Sequence, residues 1–399
     1  MSPVHTVWEV LQSVWWVGLV GFGVSLIATP IVRAIAYRAK IVDRPDDLLK
    51  PHARPIAYLG GVGIFVGLLA GLIAFVATWD QASEHFAAIG DALSSPSKWY
   101  EVLTNPVWNL IWIAVSSFVI MLVGLLDDVL EISPRKKILG QVIAAGLLLL
   151  GGVGDRMANV VFVMLPWEPP LVVLVLLSAF MCLVMVICTC NATNLLDGLD
   201  GLAGGVTGII ALGFLALAVW MAMWAQFPGS DAVRLSLCLA MVGAVLGFLP
   251  YNIPPASIFM GDAGSMLLGF FVATMMAMFC AEGSPRWLLA AMVVFALPIF
   301  DTSLAVVRRL VSGKPIFAGD RSHLYDQLVD RGMTVPQVVG LFYVLAVIAA
   351  GIGVATSILI RGRWALVIYA VLFIVVWIVF IAMGMVTPEK DRKGDSEST

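Results

Sequence analysis

Apolar runs about as long as a bilayer is thick recur along this chain from Ser13 to Val386. A helix rises about 1.5 Å per residue, so roughly 20 apolar residues cross a hydrocarbon core of about 30 Å. Eleven runs qualify, at about 13–36, 56–78, 106–126, 138–154, 170–190, 202–224, 233–250, 264–281, 286–308, 338–360 and 364–386. In lipid, backbone polar groups must be satisfied within each segment. The pattern therefore predicts an all-α polytopic membrane protein of about 11 transmembrane helices. Composition agrees: 61% of the 399 residues are apolar and 12% are charged. A soluble domain has about a quarter charged residues and under half apolar ones. The net charge of −3 excludes the strongly basic surface that nucleic acid would need.

Basic residues set the orientation, because they collect on the cytoplasmic side. With the N-terminus outside, inner loops and tail hold 17 of the 23 Lys and Arg, and the outer loops six. An odd span number then places the C-terminus in the cytoplasm. Residues 1–386 are expected to form one integral membrane domain, and 387–399 a polar cytoplasmic tail without fixed structure. Residues 1–12 contain no Lys or Arg, so no cleavable signal peptide is expected. The outer stretch 79–105 has room for a short helix, and 155–169 for an interfacial element or hairpin. The five cysteines lie in apolar runs without metal-ligand spacing, which predicts small buried hydrophobes and no disulfides.

The chemistry-bearing residues sit at the inner ends of the spans. After the third span comes Asp127-Asp128-Val129-Leu130-Glu131, then Arg135-Lys136-Lys137. Adjacent carboxylates repel unless a cation or proton offsets them. This segment is either a site for a divalent metal and phosphate, with a lysine as partner, or a hydrated loop with positive anchors. After the fifth span the chain runs Asn191-Ala192-Thr193-Asn194-Leu195-Leu196-Asp197-Gly198-Leu199-Asp200-Gly201. On a helical turn Asn191 shares a face with Asn194, and Asp197 with Asp200. Such oxygen donors suit Mg²⁺, although Asn and Asp before Gly also serve as helix caps. Asp262, in Phe259-Met260-Gly261-Asp262-Ala263-Gly264-Ser265, is either the cap of the eighth span or a metal ligand at a helix N-terminus. Asp301 lies within the ninth span, where a carboxylate is costly and is a functional candidate or half of an internal salt bridge. His323 stands in Asp320-Arg321-Ser322-His323, and beside Arg321 it can bind a diphosphate or sugar. Lys50 and His52, in the first inner loop, either anchor the span or hold an anionic head.

These motifs, in this order and on one face, resemble the polyprenyl-phosphate N-acetylhexosamine-1-phosphate transferases of glycosyltransferase family 4. The first loop (Asp43-Arg44-Pro45, His52, Gly60-Gly61) and Pro298-Ile299-Phe300-Asp301 with Arg308 fit the same family, and the resemblance spans about 15–385. It implies an enzyme of the bacterial cytoplasmic membrane that uses Mg²⁺, with Mn²⁺ as its substitute. Its substrates would be a UDP-N-acetylhexosamine and a polyprenyl phosphate, usually undecaprenyl phosphate, and its products a polyprenyl-diphosphate sugar and UMP. The resemblance makes Asn194 and Asp262 metal ligands. Asp127 and Asp128 become the groups that position or deprotonate the lipid phosphate, with Lys137 as counter-charge. Asp197 and Asp200 fall in the nucleotide or metal region, with Asn191 and Asp301 among the substrate contacts. Arg321 and His323 bind the diphosphate or sugar, and Lys50 and His52 line the entrance. Partners beyond substrates and membrane lipid are not implied, and homodimerisation stays open.

The chain departs from the family in two places. The branch related to enterobacterial WecA and to the teichoic-acid linkage enzymes ends its last motif His-X-His-His, and here it is His323-Leu324-Tyr325-Asp326. The peptidoglycan branch, related to MraY, has consecutive histidines there, which this chain lacks. Ala57 stands where proline is common. UDP-GlcNAc is thus the first expectation for the donor, another UDP-N-acetylhexosamine such as a 6-deoxy sugar the second, and UDP-MurNAc-pentapeptide the third. The competing class is a polytopic transporter or non-catalytic lipid-binding protein. A transporter places its polar groups near the bilayer midplane, where here only Asp301 lies.

Overall fold

The computed structural model describes residues 3–43, 55–94, 98–163, 169–224, 228–280, 283–313, 323–360 and 363–386. In chain order the elements are α1 (Val7–Gln12), α2 (Trp15–Ala39), β1 (Val42–Asp43), β2 (Ile56–Ala57), α3 (Gly60–Thr78), α4 (Ala82–Leu93), α5 (Trp99–Leu103), α6 (Pro106–Leu130), α7 (Pro134–Leu150), α8 (Asn159–Phe162), α9 (Leu171–Leu196), α10 (Leu202–Met223), α11 (Pro228–Asn252), α12 (Gly261–Cys280), α13 (Pro285–Val294), α14 (Ala296–Val311), α15 (Leu324–Asp330), α16 (Val335–Leu359) and α17 (Arg363–Ala382). The chain is an all-α polytopic membrane protein apart from the two short strands.

Among the described residues nine helices are long and apolar enough to cross a membrane: α2, α3, α6, α9, α10, α11, α12, α16 and α17. Two of the eleven expected spans take another form. The fourth is α7, whose 17 residues cover only about 26 Å. It begins Pro134-Arg135-Lys136-Lys137, so its first turn is basic rather than apolar. The ninth is two helices, α13 and α14, bent by 69° at Phe295. Pro298 cannot donate to the carbonyl of Val294, and a proline there breaks an interior helical turn.

α12 is the centre of the bundle. It is buried along its whole apolar window and packs against α3, α6 and α9. α17, by contrast, has only 11% of its window buried, so most of its surface is apolar and outward. α6 and α9 end where α12 begins, which gathers the polar segments after α6, after α9 and before α12 at one end. A two-stranded ribbon pairs Val42 with Ala57 and Asp43 with Ile56. Its chain then runs along the segment before α12, with Phe259 N donating to Ala57 O, and Gly60 N and Gly61 N donating to Phe259 O and Met260 O, each at 2.9 Å. The ribbon is thereby fastened to the N-terminus of α12.

The stretch 79–105 carries two short helices, α4 and α5, and 155–169 a single turn, α8. All five cysteines are free. Cys182, Cys190, Cys238 and Cys280 are buried as expected, whereas Cys188 is exposed. It sits on α9, of which only 17% is buried, so an apolar environment for it does not require a protein core.

Candidate active site

Asp127 and Asp128 occupy the last turn of α6. Neighbouring residues on a helix point about 100° apart, and the two carboxylates have different partners. Asp128 Oδ1 accepts from Asp262 N at 2.7 Å and Asp128 Oδ2 from Ala263 N at 3.1 Å. The cap of α12 is therefore Asp128, from another helix, and its charge also complements the positive end of the helix dipole. This contact requires glycine at position 261. Gly261 has φ +68°, and a Cβ there would lie 2.5 Å from Asp128 Oδ2.

Asp127 instead forms an ion pair with Lys137. The same ammonium lies 2.5 Å from Asp262 Oδ2. Asp262 Oδ1 accepts from Asn194 Nδ2 at 2.8 Å, and that amide also donates to Ser265 Oγ at 2.9 Å. Four helices, α6, α7, α9 and α12, thus bring Asp127, Lys137, Asn194 and Asp262 to one point. The basic first turn of α7 is what delivers Lys137.

Asp197 lies just past α9, partly exposed, and its side chain has no hydrogen bond or ion pair among the described residues. Burial pushes its carboxyl well above the usual range, and the charges of Asp262, Asp128 and Asp200 push further. Asp200 accepts from Ala256 N at 2.9 Å and so ties this loop to the segment before α12. Asn191 is one turn deeper and donates to Gln141 Oε1 at 3.1 Å and to Ile187 O at 2.7 Å. Its amide group therefore fastens α9 to α7. Sequence reasoning overlooked Tyr58, which packs on Phe259 with ring centroids 5.9 Å apart. Burial raises its phenol, and Asp43, Asp128 and Asp262 add to the shift, so the hydroxyl keeps its proton beside this negative cluster. The signal the sequence offered was its place shortly before Gly60-Gly61 in the first loop.

Asp301 is fully buried, and both its oxygens are engaged away from the lysine cluster. Oδ2 lies 2.7 Å from His323 Nδ1 and Oδ1 accepts from Leu324 N at 2.7 Å. It is the hydrogen-bonding partner of His323. Lys50, His52 and Arg321 lie outside the described residues.

No three His, Cys, Asp or Glu side chains converge as a protein-only metal cage among the described residues. The donors fit a harder arrangement. Mg²⁺ takes one or two carboxylates and completes its octahedron with water and substrate phosphate. Asp127 and Asp262 already turn oxygens toward one cationic group, the Lys137 ammonium. Asp197 adds a nearby carboxylate whose side chain has no hydrogen bond or ion pair among the described residues.

The apolar bundle thus gathers carboxylates, an amide and a lysine at one end of its long helices. The comparisons specify the class. The model for glycosyl transferase family 4 matches residues 110–280. A probable undecaprenyl-phosphate N-acetylglucosaminyl 1-phosphate transferase of Bacillus subtilis is 30% identical over 329 residues, covering 81% of this chain and 79% of the relative. A decaprenyl-phosphate N-acetylglucosaminephosphotransferase of Mycobacterium tuberculosis is 29% identical over 372 residues, covering 88% and 84%. An undecaprenyl-phosphate alpha-N-acetylglucosaminyl 1-phosphate transferase of Salmonella typhi is 26% identical over 336 residues, covering 82% and 79%. The chain belongs to glycosyl transferase family 4 and is a multi-pass membrane phosphoglycosyl transferase.

Proposed function

We propose that this protein transfers N-acetylglucosamine-1-phosphate from UDP-GlcNAc to a polyprenyl phosphate at the cytoplasmic face of the bacterial inner membrane. A phosphate oxygen of the lipid attacks the β-phosphorus of the sugar nucleotide. The bond from that phosphorus to the bridging oxygen breaks, and UMP leaves with both bridging electrons. The products are a polyprenyl-diphosphate sugar and UMP, and the lipid product would begin a cell-envelope polysaccharide. The observation that carries this reading is Lys137 set between Asp127 and Asp262 beside Asn194.

The Asp127 carboxylate orients the lipid phosphate and accepts its proton where it arrives protonated. The lysine offsets charge that would otherwise keep two anions apart. Asp262 and Asn194 would hold Mg²⁺, and Asp197 lies close enough to Asp262 for their charges to interact. Bound there, Mg²⁺ supplies charge neutralisation to the diphosphate. Asp128 works through the backbone, by holding the N-terminus of α12 and therefore Asp262 in place. The basic residues at the motif-bearing end support the cytoplasmic placement, which suits a cytosolic nucleotide and a membrane-held lipid.

Tyr325 and Asp326 in place of the branch's histidines support a second donor, another UDP-N-acetylhexosamine. Purified protein with undecaprenyl phosphate and Mg²⁺, given UDP-GlcNAc, UDP-GalNAc and UDP-MurNAc-pentapeptide in parallel, separates these by the mass of the lipid product. A GlcNAc-diphosphate lipid is expected. Preference for another sugar would replace the donor, and no lipid product from any of the three would contradict the assignment.

A further inference from the structure

The His323 segment departs from its family at Tyr325, and that departure has a structural role. The Tyr325 hydroxyl donates to Leu195 O at 3.1 Å, and its ring stacks on the His323 ring with centroids 5.5 Å apart and planes 12° from parallel. The ring fits there because residue 198 is glycine, whose Cβ would otherwise lie 2.2 Å from the Tyr325 hydroxyl oxygen. Tyr325 thus seats the imidazole against the last turn of α9, which carries Asn194 and leads into Asp197. From the other side Asp301, fully buried on α14, meets His323 Nδ1 with one oxygen and the Leu324 amide with the other.

We propose that Asp301 and Tyr325 are positioning residues that brace His323 as a contact for the sugar nucleotide, with Asp301 fixing the proton on Nδ1 so that Nε2 serves as an acceptor for a substrate hydroxyl or amide N–H. Both Asp301 oxygens face donors. The Leu324 amide hydrogen cannot move, whereas an imidazole can exchange its tautomer. A carboxylate therefore specifies Nδ1–H, and the second nitrogen is left to the ligand. The sugar nucleotide is the fitting ligand, because the brace rests on the end of α9 that carries Asn194 and not on the apolar face of α15, where Leu324 and Leu328 border an apolar groove of about 570 Å³.

The proposal makes Asp301→Asn informative. The amide oxygen can still accept from Leu324 N, so the start of α15 is retained, while the amide NH₂ now faces Nδ1 and demands the other tautomer. The chain has four histidines, so ¹⁵N-imidazole spectra of the labelled protein in detergent are tractable, with His323→Gln assigning the signal. Nδ1 is expected to be protonated in the wild type and bare in Asp301→Asn. In UMP-release kinetics, which rest on the transferase reading, Asp301→Asn should raise KM for the sugar nucleotide at least tenfold and leave KM for the lipid phosphate within twofold. Tyr325→Phe should raise the same KM by a smaller factor. The double variant Asp301→Asn/His323→Ala should be no worse than His323→Ala alone. A protonated Nδ1 in Asp301→Asn, or a double-variant loss equal to the product of the single losses, overturns the proposal. If the wild type releases no UMP with any donor, the transferase reading fails, and the imidazole spectra alone then decide the role of Asp301.

Discussion

Asp262 accepts from Lys137 and Asn194 at once, so an amide in its place removes the charge that both were arranged around. Asp262→Asn should lower kcat at least a hundredfold, about 2.7 kcal/mol, in protein that still folds. Activity within threefold of wild type would remove Asp262 from the metal. Asp197 gives the opposite balance of stability and activity. Its folded carboxyl titrates well above the ordinary value of about 3.9, so the ionised form disfavours the folded state. That cost is absent below the ordinary range, opens as pH rises through it, and stops growing once the folded value is passed. In EDTA, Asp197→Asn should therefore melt higher than wild type at pH 8, and the two should converge as pH falls toward 4. Added Mg²⁺ should stabilise the wild type more than the variant. Equal melting at pH 8 would mean that Asp197 is not strained. The residue types of this site were legible in the sequence, because carboxylates rarely cluster at the ends of apolar runs without cause. Their division of labour was not. Adjacent Asp127 and Asp128 look equivalent in a sequence, and only the placement of α12 makes one a cap and the other an ion-pair partner.

Elements hold this site together through close approaches and a few cross-links. A Cβ on Gly124 would lie 2.4 Å from the backbone oxygen of Asp262, which cannot swing aside as a side chain could. Gly124→Ala should therefore part α6 from α12 and lower melting temperature and activity together, as thermal unfolding in detergent and UMP release would report. Asn191→Ala removes the bond from α9 to Gln141 on α7. It should lower stability by about 1 kcal/mol and leave KM for the nucleotide within twofold; a larger shift in KM would make Asn191 a substrate contact. Helix lengths were legible because lipid crossing demands one, and α10 at Leu202–Met223 follows the expected 202–224 closely. The break at Phe295 was not read, since the run from Trp287 to Phe300 continues apolar through it apart from Pro298. The ribbon of Val42–Asp43 with Ile56–Ala57 is too short to carry an alternating pattern, and its partner at Phe259 is distant in sequence.

At the scale of the whole molecule, the motif-bearing ends of α6, α9 and α12 meet on one side, and from the positive-inside bias we propose that this side faces the cytoplasm. A fluorescent protein joined after Thr399 should mature and fluoresce, whereas alkaline phosphatase joined there should be inactive; the reverse result would invert the topology. The central claim is that this face performs phosphoglycosyl transfer through Asp127, Lys137, Asn194 and Asp262. Its most direct test is UMP release by purified protein given UDP-GlcNAc, with undecaprenyl phosphate and Mg²⁺ each present or omitted, and with Asp262→Asn alongside. The account predicts release only when lipid and metal are both present, and loss of at least a hundredfold in the variant. Release without the lipid or in EDTA, or none from folded wild-type protein, would contradict it.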